Sequence, residues 1–322
     1  MSRPATPGRL LRKLFPTRSP AVRTLLRTAE KVLAHDVNLL ILGESGVGKD
    51  QLAEAIHLCS RRRTGPFIRI ECATLPVELF ESELFGHEKG AFTDATSVKI
   101  GRIELANGGT AYIDEVASLS PELQAKLLRV IQEKVFSRVG SNREIRADVR
   151  FVASSNAPMN ELLSTGSFRE DLYYRLNVVS LLIPPLRERP EDVQYLSSLF
   201  LRDAKRRFRK DVTGFDPRAA ELLLAHRWPG NVRELRNAIE RAVLIESGAT
   251  IRVESLPLFP SSGDALVTTA AAAAWSLEEL EAQYIRKILQ RTDFNFSRAA
   301  FILGINRKTL LEKRRKYGIT SE

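Results

Sequence analysis

The stretch Gly43-Glu44-Ser45-Gly46-Val47-Gly48-Lys49-Asp50 constrains this chain more than any other. It follows an apolar run ending at Leu42 and precedes a helical pattern starting near Gln51, the order that a phosphate-binding loop requires. Glycines let backbone N–H groups approach phosphate, the helix N-terminus favours negative charge, and the Lys49 ammonium can reach β- and γ-phosphates. Asp50 stands where the generic loop carries a Ser or Thr hydroxyl for Mg2+. A second motif, Gly108-Gly109-Thr110-Ala111-Tyr112-Ile113-Asp114-Glu115, is an apolar strand ending in two acids. That pattern predicts Asp114 as the carboxylate that holds Mg2+, directly or through water, and Glu115 as the group that polarises an attacking water. Together the motifs imply ATP and Mg2+.

The rest of the chain arranges itself around these motifs. Short apolar stretches at Asn38 to Leu42, Phe67 to Ile70, Ala111 to Ile113, Val149 to Ala153 and Val178 to Ile183 alternate with helical patterns, as in a parallel α/β sandwich with crossover helices. Beyond Pro184-Pro185, segments Glu191 to Arg209, Pro217 to Ala225 and Asn231 to Ser247 read as helices without strands between them. We therefore expect a nucleotide-binding α/β subdomain over 19–183, a helical lid over 184–250, a linker over 251–274 and a small all-α domain over 275–322. Residues 1–18 are basic, hold three prolines and no acid, and are expected to form a flexible tail.

Composition removes other classes. With 43% hydrophobic and 27% charged residues the chain can build a core, which excludes a disordered or fibrous protein. Only Cys59 and Cys72 occur, too few for a disulfide framework or a four-thiolate metal site, and a reducing cytoplasm fits. No apolar run approaches the ~20 residues that span a bilayer, so no membrane partner is expected. A formal charge of +10 admits a polyanionic partner.

The C-terminal segment locates that charge. An amphipathic pattern over Trp275 to Gln290 is followed by Ser297 to Leu303, a turn at Gly304 and a helix from Asn306, the spacing of a helix-turn-helix. Ser297 and Asn306 are expected caps, and Ala299, Ala300, Ile302, Leu303, Ile305 and Leu310 the packing residues. Six Lys or Arg residues lie between Asn306 and Tyr317 against the single acid Glu312, enough to neutralise phosphates. Asn306, Arg307, Lys308, Thr309 and Lys313 are the candidate DNA contacts.

From about Ser19 to Ile319 the sequence closely resembles the bacterial enhancer-binding proteins that activate sigma-54 RNA polymerase. Glu83-Leu84-Phe85-Gly86-His87-Glu88-Lys89-Gly90-Ala91-Phe92-Thr93-Asp94-Ala95 resembles the family's surface loop ending in GAFTGA, so the resemblance implies a sigma-54 contact over Gly90, Ala91, Phe92, Thr93, Asp94 and Ala95. Phe168-Arg169-Glu170-Asp171-Leu172-Tyr173-Tyr174-Arg175 resembles the stretch that supplies arginine fingers, implying that Arg169 and Arg175 enter a neighbour's ATP site in a hexameric ring. Asn156 resembles sensor I, and Arg233, within Trp228-Pro229-Gly230-Asn231-Val232-Arg233-Glu234-Leu235, resembles sensor II. The end of the chain resembles the Fis-type helix-turn-helix.

The resemblance implies an AAA+ fold, ATP hydrolysis, sigma-54 RNA polymerase and enhancer DNA as partners, and assembly with copies of itself. Three positions depart from the pattern. Asp50 replaces the usual Glu after the loop lysine, Glu71 stands where an Asn often couples nucleotide state to the catalytic glutamate, and Asp94 replaces the last glycine of GAFTGA. A second carboxylate beside Glu115 would raise one pKa by like-charge repulsion unless it points away. Asp94 and Glu71 open a second reading, a DNA-binding regulator whose assembly nucleotide controls but whose loop no longer drives sigma-54. A third, an AAA+ machine acting on another protein, is disfavoured by the helix-turn-helix. Family members mostly carry a sensory domain before the ATPase, so a regulatory protein acting in trans is a further expected partner.

Overall fold

Leu39, Leu40 and Ile41 are all buried, as a strand covered on both faces requires. The computed structural model describes residues 6–72, 77–92, 95–256, 274–292 and 294–319. In the first of two units, residues 1–257, the strands are β1 (Leu39–Leu42), β2 (Phe67–Glu71), β3 (Gly86–His87), β4 (Lys99–Ile100), β5 (Thr110–Asp114), β6 (Val135–Ser137), β7 (Glu144–Arg146), β8 (Arg150–Ser155) and β9 (Val179–Leu182). Five of them form a parallel sheet in the order β2-β5-β8-β1-β9. The two short hairpins, β3 with β4 and β6 with β7, were not legible as strands because two or three residues cannot show a period.

Around the sheet lie α1 (Pro7–Leu14), α2 (Pro20–Val32), α3 (Lys49–Cys59), α4 (Val77–Phe85), α5 (Arg102–Leu105), α6 (Pro121–Glu133), α7 (Met159–Ser164) and α8 (Glu170–Leu176). Strand alternation separates two cores. Leu40, Ala111, Ile113, Phe151 and Ala153 pack with residues of α4, α6 and α8, whereas Leu39, Ile41, Tyr112 and Val152 pack with α1, α2 and α3.

The expected basic tail is helical over Pro7–Leu14. Leu11 and Phe15, four residues apart, insert into the second core, and Arg12 pairs with Glu30 at 2.7 Å. Burying those two apolar side chains outweighs the positive charge of the segment, which faces outward.

The lid comprises α9 (Pro190–Phe208), α10 (Pro217–Ala225) and α11 (Asn231–Ile245). It continues beyond the expected boundary: β10 (Gly214–Phe215) pairs with β11 (Thr250–Ile251), Ile251 is buried, and a 3-10 turn follows at Val253–Ser255. Glu246 fastens this end by accepting from the backbone N–H groups of Ser247, Gly248 and Arg252 and from the Ser255 hydroxyl. The remainder of the expected linker, 257–273, lies outside the described residues.

The second unit contains α12 (Leu277–Arg291), α13 (Phe296–Leu303) and α14 (Arg307–Lys316). Ser276 and Glu279 form a reciprocal capping box on α12. Asn295, not Ser297, caps α13, its side chain accepting from the Arg298 N–H at 3.1 Å. Gly304 turns the chain at φ +66°, and Asn306 caps α14 as expected, accepting from the Thr309 N–H at 2.8 Å. Ile285, Ile288, Leu289, Ala299, Ala300, Leu310 and Ile319 make a small shared core.

Candidate active site

The strand order makes the carboxyl ends of β5, β8 and β1 neighbours, where open α/β sheets bind ligands. The glycine loop leaves the end of β1, crosses from Gly43 to Gly48 with positive φ at Gly43, Gly46 and Gly48, and enters α3 at Lys49. Gly46 is required sterically: a Cβ there would stand 2.4 Å from the Gly230 carbonyl oxygen of the lid. The Lys49 side chain is only 6% exposed. Its Nζ donates to Gly43 O at 2.9 Å and Glu44 O at 3.4 Å and lies 3.1 Å from Glu115 Oε1. A buried ammonium on these carbonyls and one carboxylate is set where a phosphate can take over its donors.

The two acids at the end of β5 have different surroundings. Burial opposes ionisation of Asp114, but the Ser154 hydroxyl at 2.7 Å, the Tyr112 hydroxyl at 3.0 Å and Arg69 Nη2 at 2.7 Å outweigh it and hold the carboxyl below its ordinary range. Glu115 adopts φ +57°, the left-handed region disfavoured for a residue with a Cβ. That turn is fastened by its own N–H to Ser154 Oγ at 3.2 Å and by its Oε2, which accepts from the Asn156 N–H at 2.9 Å. Asn156 thus meets Glu115 through its backbone, while its side chain is exposed.

Sequence reasoning missed Arg69. Its guanidinium lies 2.7 Å from Asp114, 3.1 Å from Glu71 and 3.6 Å from Asp50. Glu71 is therefore drawn to Arg69, while Glu115 bonds Lys49 and the Asn156 N–H. The signal was the pair Arg69 and Glu71 at i, i+2 on an otherwise apolar strand; the β2–β5 register sets Arg69 beside Tyr112 and Glu71 beside Asp114. Asp50 and Asp114 are hard oxygen donors already bridged by one cation, which suits Mg2+. An ion of that kind is commonly bound by one or two carboxylates plus substrate phosphates.

The lid closes the site from the other side. Asn231, buried at φ +51°, donates to Ser45 O at 3.0 Å and Glu44 Oε2 at 3.1 Å while accepting from the Leu186 N–H. Arg187 binds Glu44 through two nitrogens, at 2.7 and 2.9 Å, and together these donors pull the Glu44 carboxyl down. The Val232 and Arg233 N–H groups both donate to Gly46 O, and Arg233 Nη1 donates to Ser45 Oγ at 3.2 Å, so the expected sensor arginine is beside the phosphate loop. A cavity of 560 Å³ adjoins the loop, lined by Phe15, Val47, Gln51, Tyr195, Leu196 and Arg236 among others. Its wall from Lys13 to Pro16 comes from the segment expected to be a tail.

The remaining candidates lie on the surface. Arg169 precedes α8 and pairs with Asp171 at 2.7 Å, and Arg175 is exposed near the end of that helix. Between β3 and β4, Gly90 takes φ +84°, its N–H donates to Ala95 O, and Phe92 is 38% exposed with its ring 4.9 Å from that of His87. Ala91 rests on Gly140, where a Cβ would approach to 2.7 Å, so the second hairpin supports this loop. Thr93 and Asp94 lie outside the described residues. On α14, Arg307 and Lys308 are exposed and Thr309 half-buried. Lys313 Nζ turns onto Glu281 of α12 at 2.7 Å, where Tyr317 also donates, so a neighbouring acid competes for it within the unit.

Comparisons with known proteins agree with this geometry. Residues 15–182 match the sigma-54 interaction domain, residues 187–271 the AAA+ ATPase lid domain, and residues 276–317 the bacterial regulatory protein, Fis family. The regulatory protein AtoC of Escherichia coli is 44% identical over 310 residues, which span 94% of this chain and 67% of AtoC. The alginate biosynthesis regulator AlgB of Pseudomonas aeruginosa is 45% identical over 301 residues, 94% of this chain and 67% of AlgB. A crystal structure of NtrX from Brucella abortus in complex with ATP superposes with a TM-score of 0.70 at 34% identity, covering 94% of this chain and 69% of that one. No helix among the described residues is long and apolar enough to cross a membrane. With a phosphate loop, an acidic strand end, a lid arginine and a terminal helix-turn-helix in one chain, this protein belongs to the sigma-54-dependent transcriptional activators, ATP-binding AAA+ regulators with a Fis-type DNA-binding domain.

Proposed function

We propose that this chain hydrolyses ATP between neighbouring subunits of a hexameric ring, and thereby remodels the closed complex of sigma-54 RNA polymerase into the open one, while its C-terminal unit holds enhancer DNA. The observation that carries this reading is the convergence of Lys49, Asp114 and Glu115 at the carboxyl ends of β1 and β5, on either side of β8, with Glu115 held between Lys49 and the Asn156 N–H.

Lys49 exchanges the carbonyls of Gly43 and Glu44 for the β- and γ-phosphates, and the loop N–H groups receive the remaining phosphate oxygens. Glu115 orients and polarises the attacking water. Asp114, kept ionised by its three donors, would hold Mg2+, with Asp50 nearby. When bound there, Mg2+ would supply charge neutralisation on the triphosphate. Arg233 ties the lid to the γ-phosphate end, and the cavity beside Phe15 and Tyr195 takes the base. Arg169 and Arg175 reach the phosphates of the neighbouring subunit, so turnover depends on assembly. The loop over Gly90 to Ala95 presents Phe92 to sigma-54, and Arg307 and Lys308 meet DNA.

Mixing tests the shared site directly. Arg169→Ala and Lys49→Ala variants, each inactive alone, should recover part of the turnover when combined, because an intact loop then faces an intact arginine. No recovery at any mixing ratio, together with unchanged specific activity on dilution of the wild type, would exclude it. Asp94 favours the second reading, a nucleotide-controlled DNA-binding regulator, since an acid at that place puts charge on the surface meant for sigma-54. If Asp94→Gly alone confers open-complex formation while both proteins hydrolyse ATP, the regulator reading holds.

A further inference from the structure

Arg69 is a charged group of the site to which no role falls in that cycle. It stands on β2, 41% exposed, with three carboxylates from three different segments around one guanidinium: Asp50 from α3, Glu71 from its own strand and Asp114 from β5. The contact with Asp114 is the shortest, at 2.7 Å, and the same acid also accepts from Ser154 and Tyr112, so its lone pairs are well occupied. Three like charges this close repel one another strongly unless a cation lies among them. We propose that Arg69 is a positioning residue that acts as a tethered stand-in for the metal ion: it keeps Asp50 and Asp114 oriented when Mg2+ is absent, and yields Asp114 to the ion when the metal nucleotide binds. Released on that side, the guanidinium remains on Glu71 and keeps this second acid away from Glu115.

The inference rests on the assignment of Asp114 to the metal. Competition between two cations for one carboxylate has a readable consequence. Arg69 weakens the metal's hold on the site, so neutralising it tightens that hold. Binding of a fluorescent ADP derivative, followed by anisotropy at increasing Mg2+ concentration, gives the Mg2+ concentration at which half of the metal-dependent gain in affinity is reached. For Arg69→Gln that midpoint should fall about tenfold, the scale of one charge-assisted hydrogen bond. Arg69→Lys, which keeps the charge but loses the planar fork, should lie between the two. In the absence of nucleotide and metal, Arg69→Gln should melt at a lower temperature than the wild type, and added Mg2+ should return more of that loss than it adds to the wild type.

Near-ultraviolet circular dichroism identifies a variant that fails to fold, and Arg69→Lys then carries the comparison alone. A midpoint for folded Arg69→Gln, or for Arg69→Lys in its place, equal to or above the wild-type value would overturn the proposal. Asp114→Asn separates this failure from that of the site itself: if metal dependence of nucleotide binding survives in Asp114→Asn, the assignment of the metal to Asp114 falls; if it vanishes there but Arg69 variants match the wild type, only the stand-in role falls.

Discussion

The phosphate loop and helix α14 both present positive charge for phosphate, and they do so by opposite means. Around Lys49 a single ammonium is 6% exposed and held on Gly43, Glu44 and Glu115, while glycine geometry aims backbone N–H groups. On α14, Arg307 and Lys308 stand exposed at the helix start, and number supplies the affinity instead of enclosure. Buried charge with fixed partners selects by shape and resists salt; exposed charge attracts any polyanion and weakens as salt rises. Under the proposed function, one chain thus separates a selective nucleotide site from a salt-tunable DNA surface.

Removing a group that acts only within the enclosed site tests this contrast most severely. Glu115→Gln should lower kcat by about 10²- to 10⁴-fold, the range for a positioned general base, with nucleotide affinity nearly unchanged. Phosphate-release assays paired with nucleotide titration check it, and turnover close to the wild type would remove Glu115 from the chemistry. Next in size is Lys49→Ala. Losing a charged hydrogen-bonding group worth about 1.5–3 kcal/mol should weaken ATP binding by roughly 10- to 100-fold. DNA affinity measured by fluorescence polarisation should stay put, and a parallel loss of both activities would dissolve the division of labour.

The exposed surface answers to salt. In a plot of log affinity for DNA against log salt concentration, Arg307→Ala should reduce the slope by about 1, as expected when one phosphate fewer is neutralised. Lys313→Ala should change it less, because Glu281 already holds that ammonium. Equal slopes for the two variants would mean that Lys313 leaves Glu281 on the DNA.

A further expected effect, on stability and not on activity, concerns a buried charge remote from any ligand. Hydrogen bonds from Ser255, then Gly248 and Arg252, pull the Glu246 carboxyl down to about 2. A folded-state value below the unfolded one of about 4.3 gives stability that is complete above the unfolded value and lost as pH falls toward 2. Glu246→Gln should cost about 1–3 kcal/mol at pH 7 by chemical denaturation, and the gap to the wild type should narrow below about pH 4.5. A gap that stays constant down to about pH 3 would assign the loss to packing.

What could be read in advance divides along the same line. The glycine loop, the acids after Ile113, the five sheet strands and the helix-turn-helix depend on local pattern, and all five strands came through in place within one or two residues. Partner choice depends on register and could not be read that way. Nothing local to Arg69 reveals that β5 brings Asp114 beside it, and nothing near Lys313 reveals Glu281, 32 residues earlier. Ser154, which links Tyr112, Asp114 and the Glu115 N–H, looked like an ordinary strand residue. The segment before Ser19 misled for another reason: its positive charge dominated the count, while its packing rests chiefly on Leu11 and Phe15, with Leu10 beside them.

Asp192 fastens distant parts of the chain to one another. Fully buried in the lid, it accepts from the Thr17 hydroxyl and from the Arg18 and Ser19 N–H groups, and its partner Arg189 donates to Val47 O in the phosphate loop. Three segments far apart in sequence therefore share one polar rivet. Any tilt of the lid must therefore drag residues 17–19 and the phosphate loop with it, so these parts of the protomer respond as one body.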